Sequence, residues 1–223
     1  MASTLLLGGC AAPQSTDEPE ATATTGAGIP QGAEGAAHFD DLALVVGDGP
    51  IDVQVWVDPF CPTCHEFEDA AGESIADMVD DGDITYSIHL MNFLDRASQG
   101  SEYSTRAGSA LTCVAVSQPD RLLDAVRAIF TAQPQEQTTG LSDDEIVDVL
   151  EAAGVEDITA CVEARPYGEW VQLSNDSAIE GISGADLPSI EGTPTLIVDG
   201  TAFTGDTADA DAVEDFIRGG QGD

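Results

Sequence analysis

Cys61-Pro62-Thr63-Cys64 sets two thiols three residues apart, a spacing at which one sulfur can attack a disulfide and the other can resolve the product. Such a redox dithiol needs unequal thiols, one held as thiolate and one shielded. A helix that begins at Cys61 supplies the inequality. Its N-terminal partial positive charge favours a thiolate at Cys61, and Cys64 falls one turn in, on the covered side. Pro62 suits the first turn of that helix, where its missing N–H costs nothing. Thr63 can donate one hydrogen bond to the thiolate but brings no charge, and His65 is a helix-surface residue that helps tune it. Two other uses of the spacing compete. A zinc site needs four ligands as a rule, and Cys113 and Cys161 do not form a second close pair, so no metal is expected. Cys61-Pro62-Thr63-Cys64-His65 also fits covalent haem attachment, with His65 as one axial ligand and Met78 or Met91 as the other. The strand before the motif and the Thr-Pro pair far downstream are not needed for haem, so the dithiol is preferred, without a cofactor.

The elements that must position these thiols can be read from periodicity. Ile51–Val57 alternates apolar and polar residues, the pattern of a half-buried strand. Phe67, Ala70, Ala71, Ile75 and Met78 recur at helical spacing, predicting a helix from Cys61 to about Val79. Leu42–Val46 reads as an earlier strand, turned into the next by Gly47-Asp48-Gly49-Pro50. Ile84–Leu90 is a third strand after the turn at Asp80-Asp81-Gly82-Asp83. Thr195–Val198 is a fourth, directly after Gly192-Thr193-Pro194. A short fifth lies around Phe203, and a last helix covers about 209–217. Between the third and fourth strands lie roughly a hundred residues of helical pattern: 104–117, 120–132, 142–153, 158–164 and 169–182. Ser142-Asp143-Asp144-Glu145 is a capping box that fixes one helix start.

Strand, C-P-x-C, helix and a distant T-P before another strand resemble the thioredoxin superfamily. The long helical stretch between the two motifs resembles the DsbA-like thiol–disulfide oxidoreductases in their secreted actinobacterial form, over residues 42–219. The resemblance implies an α/β thioredoxin fold with a helical insertion subdomain, at about residues 95–190, between the third and fourth strands. It implies a cis Thr193–Pro194 bond facing the dithiol, with Thr193 pairing to an extended substrate segment. It also implies a second, structural disulfide between Cys113 and Cys161, two buried free thiols being the alternative. The implied role is donation of disulfides to reduced or misoxidised exported proteins. Re-oxidation would come from a quinone-linked membrane partner of the vitamin K epoxide reductase type. A reductase or isomerase using the same cysteines is the alternative enzyme, and a binding lipoprotein without turnover is a further class. One departure concerns proton transfer. Many members of the superfamily carry a buried carboxylate six residues before the first cysteine, where this chain has Val55. Gln54 is its polar neighbour, and Asp58, three before Cys61, reads as a loop residue rather than a replacement. The proton acceptor for Cys64 is left unassigned.

The 223 residues are 42% hydrophobic, enough for one domain with a proper core. With 42 acidic and 6 basic residues the net charge is -36, which repels nucleic acid and anionic lipid headgroups. All the basic residues are arginine. Five cysteines agree with an oxidising compartment. Leu5-Leu6-Leu7-Gly8-Gly9-Cys10 resembles the end of a bacterial lipoprotein signal, with Cys10 as the lipidated residue. The stretch before Cys10 is shorter than a usual signal and has no Lys or Arg, so residues 1–10 read as a truncated one. Residues 11–37, rich in Ala, Thr, Gly and Pro, read as a disordered tether, with the folded domain over 38–223. The expectation is therefore an extracytoplasmic, outward-facing cell-membrane lipoprotein, touching the membrane only through its lipid. No dimerisation segment is evident, so a monomer is expected.

Overall fold

The computed structural model describes Met1 and residues 28–219. One mixed sheet organises them. Its strands are β1 (Ala33–Glu34), β2 (Ala37–His38), β3 (Ala43–Val46), β4 (Ile51–Val57), β5 (Ile84–Leu90), β6 (Thr195–Val198) and β7 (Thr201–Ala202), in the order β1-β2-β3-β5-β4-β6-β7. Only β4 and β5 run parallel. A parallel pair needs a crossover, and α1 (Pro62–Asp80) provides it. The entry into β4 depends on Gly47. Its φ is +77°, and a Cβ there would stand 2.5 Å from the Ile84 carbonyl oxygen.

Alternation along the central strands divides the core. Val53, Val55 and Val57 of β4 pack in one cluster with Tyr86, Ile88 and Leu90 of β5 and Leu196 and Val198 of β6. Phe67, Ile75 and Met78 of α1, and Val213 and Ile217 of α7 (Ala210–Ile217), close that cluster. Trp56 and Ile197 point the other way, into a smaller cluster with Met91, Ala178, Ile190 and Ala202. On that second face Trp56 stacks on His89 at 4.3 Å between ring centroids.

Five helices lie between β5 and β6: α2 (Tyr103–Ser117), α3 (Leu122–Thr131), α4 (Asp143–Ala152), α5 (Thr159–Ala164) and α6 (Gly168–Glu180). A short 3-10 turn, Phe93–Ala97, leads into them. α2 is their axis: Ala107, Ala110, Leu111 and Val114 are fully buried, in one cluster with Leu122, Ile129, Ile146, Leu150 and Trp170 from its neighbours. The capping box forms at Ser142 and Glu145 and starts α4. Cys113 on α2 and Cys161 on α5 are joined as a disulfide, 48 residues apart. Arg106 of α2 is buried, its guanidinium 2.8 Å from Asp143 and donating to the Ser101 and Leu141 carbonyls. Burial would raise the Asp143 carboxyl, but hydrogen bonds from Arg165 and Arg106 outweigh it and hold it below its ordinary range. No helix among the described residues is long and apolar enough to cross a membrane.

One boundary is corrected. The tether expected over 11–37 gives way to ordered strands at Ala33–Glu34 and Ala37–His38, so the domain begins before residue 38. The reason is backbone pairing, which large side chains do not announce. The Ala36 N–H donates to Ala115 O at 2.8 Å, and Val45 N–H donates to Ala36 O at 2.7 Å. Small side chains allow that approach, and Ala36 and Ala37 are buried by it. The rest of the tether as far as residue 27, with Cys10, lies outside the described residues.

Candidate active site

Cys61 is the N-cap of α1, in extended conformation, and Pro62 fills the first helical position. The short loop of residues 58–60 after β4 therefore delivers Cys61 to the helix end where partial positive charge collects. Cys61 and Cys64 are both free thiols. Cys61 is 8% exposed and Cys64 fully buried. The Thr193–Pro194 peptide bond is cis, and it brings the Thr193 carbonyl oxygen to 3.4 Å from the Cys61 sulfur. Thr63 Oγ1 is 3.0 Å from that sulfur and donates to the Thr193 carbonyl, also at 3.0 Å. The structure thus brings Cys61, Pro62, Thr63, Cys64, Thr193 and Pro194 into one site. His65 is engaged elsewhere: its Nδ1 is 2.7 Å from the Phe130 carbonyl, so Nδ1–H donates to α3. Cys113 and Cys161 belong to the helical insert and not to this site.

Electrostatics makes the two thiols unequal. A hydrogen bond from the Cys64 thiol is the largest influence on Cys61. It outweighs burial and, with contacts from Thr193, Thr63 and the Cys64 backbone, lowers the Cys61 thiol to about 5. Burial pushes Cys64 well above its ordinary value, and the hydrogen bond to Cys61 and the charge of that neighbour add to it. The lowered Cys61 favours the thiolate at neutral pH in a sulfur with a small exposed edge, while Cys64 stays a fully covered thiol.

Two supporting residues escape a reading of the sequence. Asp58 does sit in the loop before α1, but its side chain is fully buried. Phe60 N–H donates to its Oδ1 at 2.8 Å and Leu94 N–H to its Oδ2 at 2.9 Å. Its backbone carbonyl takes the Cys61 N–H at 2.9 Å. Burial, ahead of the nearby Cys61 charge, raises the Asp58 carboxyl to about 7. Gln133, just past α3, donates from Nε2 to the Pro59 and Cys61 carbonyls at 2.9 and 3.0 Å. An acidic residue three positions ahead of the N-cap was the only local signal for Asp58, and Gln133 had none.

An accessible stabilised thiolate, a covered thiol one helical turn on, and a cis-proline loop against the pair define a thiol–disulfide oxidoreductase on a thioredoxin fold. The thioredoxin family's model matches residues 45–218, and the chain belongs to that family. Within the superfamily it is DsbA-like. It is similar to the reduced disulfide oxidoreductase DsbG of Mycobacterium tuberculosis at 25% identity, TM-score 0.64, over 79% of this chain and 88% of that one. The reduced DsbA of the same organism matches at 25% identity and TM-score 0.64, over 80% and 93% of the two chains. MdbA of Actinomyces oris shares the fold, with TM-score 0.66 at 20% identity over 80% and 88%. Among curated proteins, the serine/threonine-protein kinase PknE of M. tuberculosis is 29% identical over 150 residues. That match takes in 65% of this chain and only 26% of the kinase's length.

Proposed function

We propose that this protein donates disulfides to exported proteins outside the cytoplasm. Cys61 is the residue that exchanges with substrate, and Cys64 is the one that resolves. A substrate thiolate attacks the Cys61 sulfur of the Cys61–Cys64 disulfide, and Cys64 leaves with the bonding electrons and takes up a proton. A second substrate thiolate then attacks the substrate sulfur of the mixed disulfide, and Cys61 leaves as thiolate. Two substrate thiols become one disulfide, and the enzyme keeps the two electrons as a dithiol. Thr193 and Pro194 flank the sulfur and offer backbone to an extended substrate chain, as in strand addition.

The observation that carries the donor direction is the Cys61 thiol lowered to about 5. A stabilised thiolate stabilises the reduced enzyme, and so makes its disulfide a stronger oxidant. The DsbA and DsbG likeness supports exported proteins as substrates. Re-oxidation would then fall to a quinone-linked membrane protein of the vitamin K epoxide reductase type. Lipidation at Cys10 would hold a monomer on the outer side of the cell membrane. The deciding experiment is the equilibrium potential of the Cys61–Cys64 couple against glutathione. A value near or above about −180 mV, that of protein disulfide isomerase, is expected. A value near thioredoxin's, about −270 mV, would make the enzyme a reductase and overturn the donor role.

A further inference from the structure

Each turnover switches Cys61 between an uncharged disulfide sulfur and a thiolate. Asp58 is built into the turn that carries that sulfur. The Cys61 N–H donates to the Asp58 carbonyl at 2.9 Å, a closure across three residues that holds the two Cα atoms within about 7 Å. The Asp58 backbone also reaches the Cys64 sulfur. Its side chain is sealed from solvent, and no cation is paired with it among the described residues. A carboxylate and a thiolate so placed in a poorly polarisable interior oppose each other, and neutralising one of them relieves the conflict.

The site can hold the carboxyl in either state. The Phe60 and Leu94 N–H groups donate to its two oxygens and suit the carboxylate. Ser104 Oγ, on α2, faces the carboxyl too. That hydroxyl is buried and has no other hydrogen-bond partner among the described residues. A hydroxyl both donates and accepts, so Ser104 can give a hydrogen to the carboxylate or take one from the acid. The neighbouring charges lack this freedom. Burial pushes up both the Cys64 thiol and the Tyr103 hydroxyl of α2, which lies in electrostatic reach of Asp58. Arg106 stands over the Tyr103 ring with its guanidinium committed to Ser101, Leu141 and Asp143. Asp95, beside Leu94, is bonded to Thr105. Burial first, with the Cys61 charge in addition, raises the Asp58 carboxyl to about 7.

We propose that Asp58 takes up a proton as Cys61 becomes a thiolate and releases it as the Cys61–Cys64 disulfide re-forms. Asp58 acts through Cys61 and touches no substrate. The proposal rests on the dithiol reading given above. When two substrate thiols are oxidised, their two electrons pass to the Cys61–Cys64 bond, which breaks as the substrate disulfide forms. Of the two protons set free, one goes to Cys64 and the other to Asp58. The site gains both, and its net charge stays the same.

The test is the equilibrium of the full chain with reduced and oxidised glutathione from about pH 6 to about pH 7.5, where glutathione stays a thiol. The state of Cys61 and Cys64 is read by alkylation and peptide mass. With an uncharged residue 58, reduction releases one proton, so the constant for Asp58→Asn should rise about tenfold per pH unit. The wild type keeps that proton, and its constant is expected to rise about threefold per unit or less. Equal slopes overturn the proposal whatever factor separates the two curves, because an offset alone is the mark of a structural clamp. Asp58→Ser, whose hydroxyl can still accept the Phe60 N–H, carries the same expectation and serves where Asn does not fold. A tenfold wild-type slope overturns the proposal with no variant at all. If neither cysteine exchanges with glutathione at any pH, the dithiol reading itself falls, and the role of Asp58 with it.

Discussion

Thr63 has one hydroxyl hydrogen and two acceptors at 3.0 Å, the Cys61 sulfur and the Thr193 carbonyl. While Cys61 is a thiol it can donate to the carbonyl itself; once it is a thiolate, the Thr63 hydrogen is better spent on the charge. Thr63→Val should therefore raise the Cys61 titration midpoint from about 5 by roughly one pH unit and lower the couple's potential by about 30 mV. Thiolate absorbance near 240 nm and a glutathione equilibrium read these two quantities, and an unmoved midpoint would remove Thr63 from the machinery. The sign of the pH dependence follows from the same lowering. An unfolded thiol titrates at about 8.5, so the extra stability of the reduced fold is complete above that pH and lost as pH falls through about 5. At this scale the dithiol was legible because its logic is local: Cys61, Pro62, Thr63 and Cys64 sit within one helical turn. Asp58 was not, because one of the two N–H groups that donate to its carboxylate is that of Leu94, 36 residues away.

α5 has six residues, too few to hold a helix in water by itself. The Cys113–Cys161 bond fastens it to α2 across 48 residues of chain, a loop whose closure is worth about 4 kcal/mol by chain entropy. Replacing both cysteines by serine should cost about that much in urea unfolding and leave the Cys61–Cys64 potential unchanged. A shifted potential would mean that the insert, and not only the loop around α1, sets the dithiol's chemistry. Elements of this kind were readable where a period was long and strong. β4, β5 and β6 fall on the predicted residues because each alternates or runs apolar between clear turns. The 142–153 helix starts as read because Ser142 and Glu145 form the cap that their spacing announces. β1 and β2 have two residues each, with no alternation to detect. Their existence is decided by pairing with β3 and by the Ala115 carbonyl, partners that only the folded chain supplies.

Across the whole molecule, 42 acidic residues face six arginines. Arg106 and Arg165 share Asp143, Arg121 pairs with Asp124, and Arg218 with Glu214 and Asp83. Most carboxylates are therefore left to repel one another through solvent, where salt governs the interaction. Between 0.1 and 1 M salt the screening length falls from about 10 to about 3 Å. The melting temperature should rise by several degrees over that range, measured by circular dichroism in sodium chloride. A flat or falling curve would show that self-repulsion does not limit this fold.

The N-terminal hairpin sets where the preceding chain meets the fold. Gly35 and Ala36 share a cavity with Ala76, Val79 and Asp80, in the last turns of α1, while Cys61 caps the first turn of that helix. At 1.5 Å per residue, roughly 25 Å of α1 separates the two ends. Whatever lies upstream of the hairpin thus enters the fold at the pole opposite the reactive sulfur. A molecule secured from that side would present its dithiol away from the point of attachment, toward passing chains.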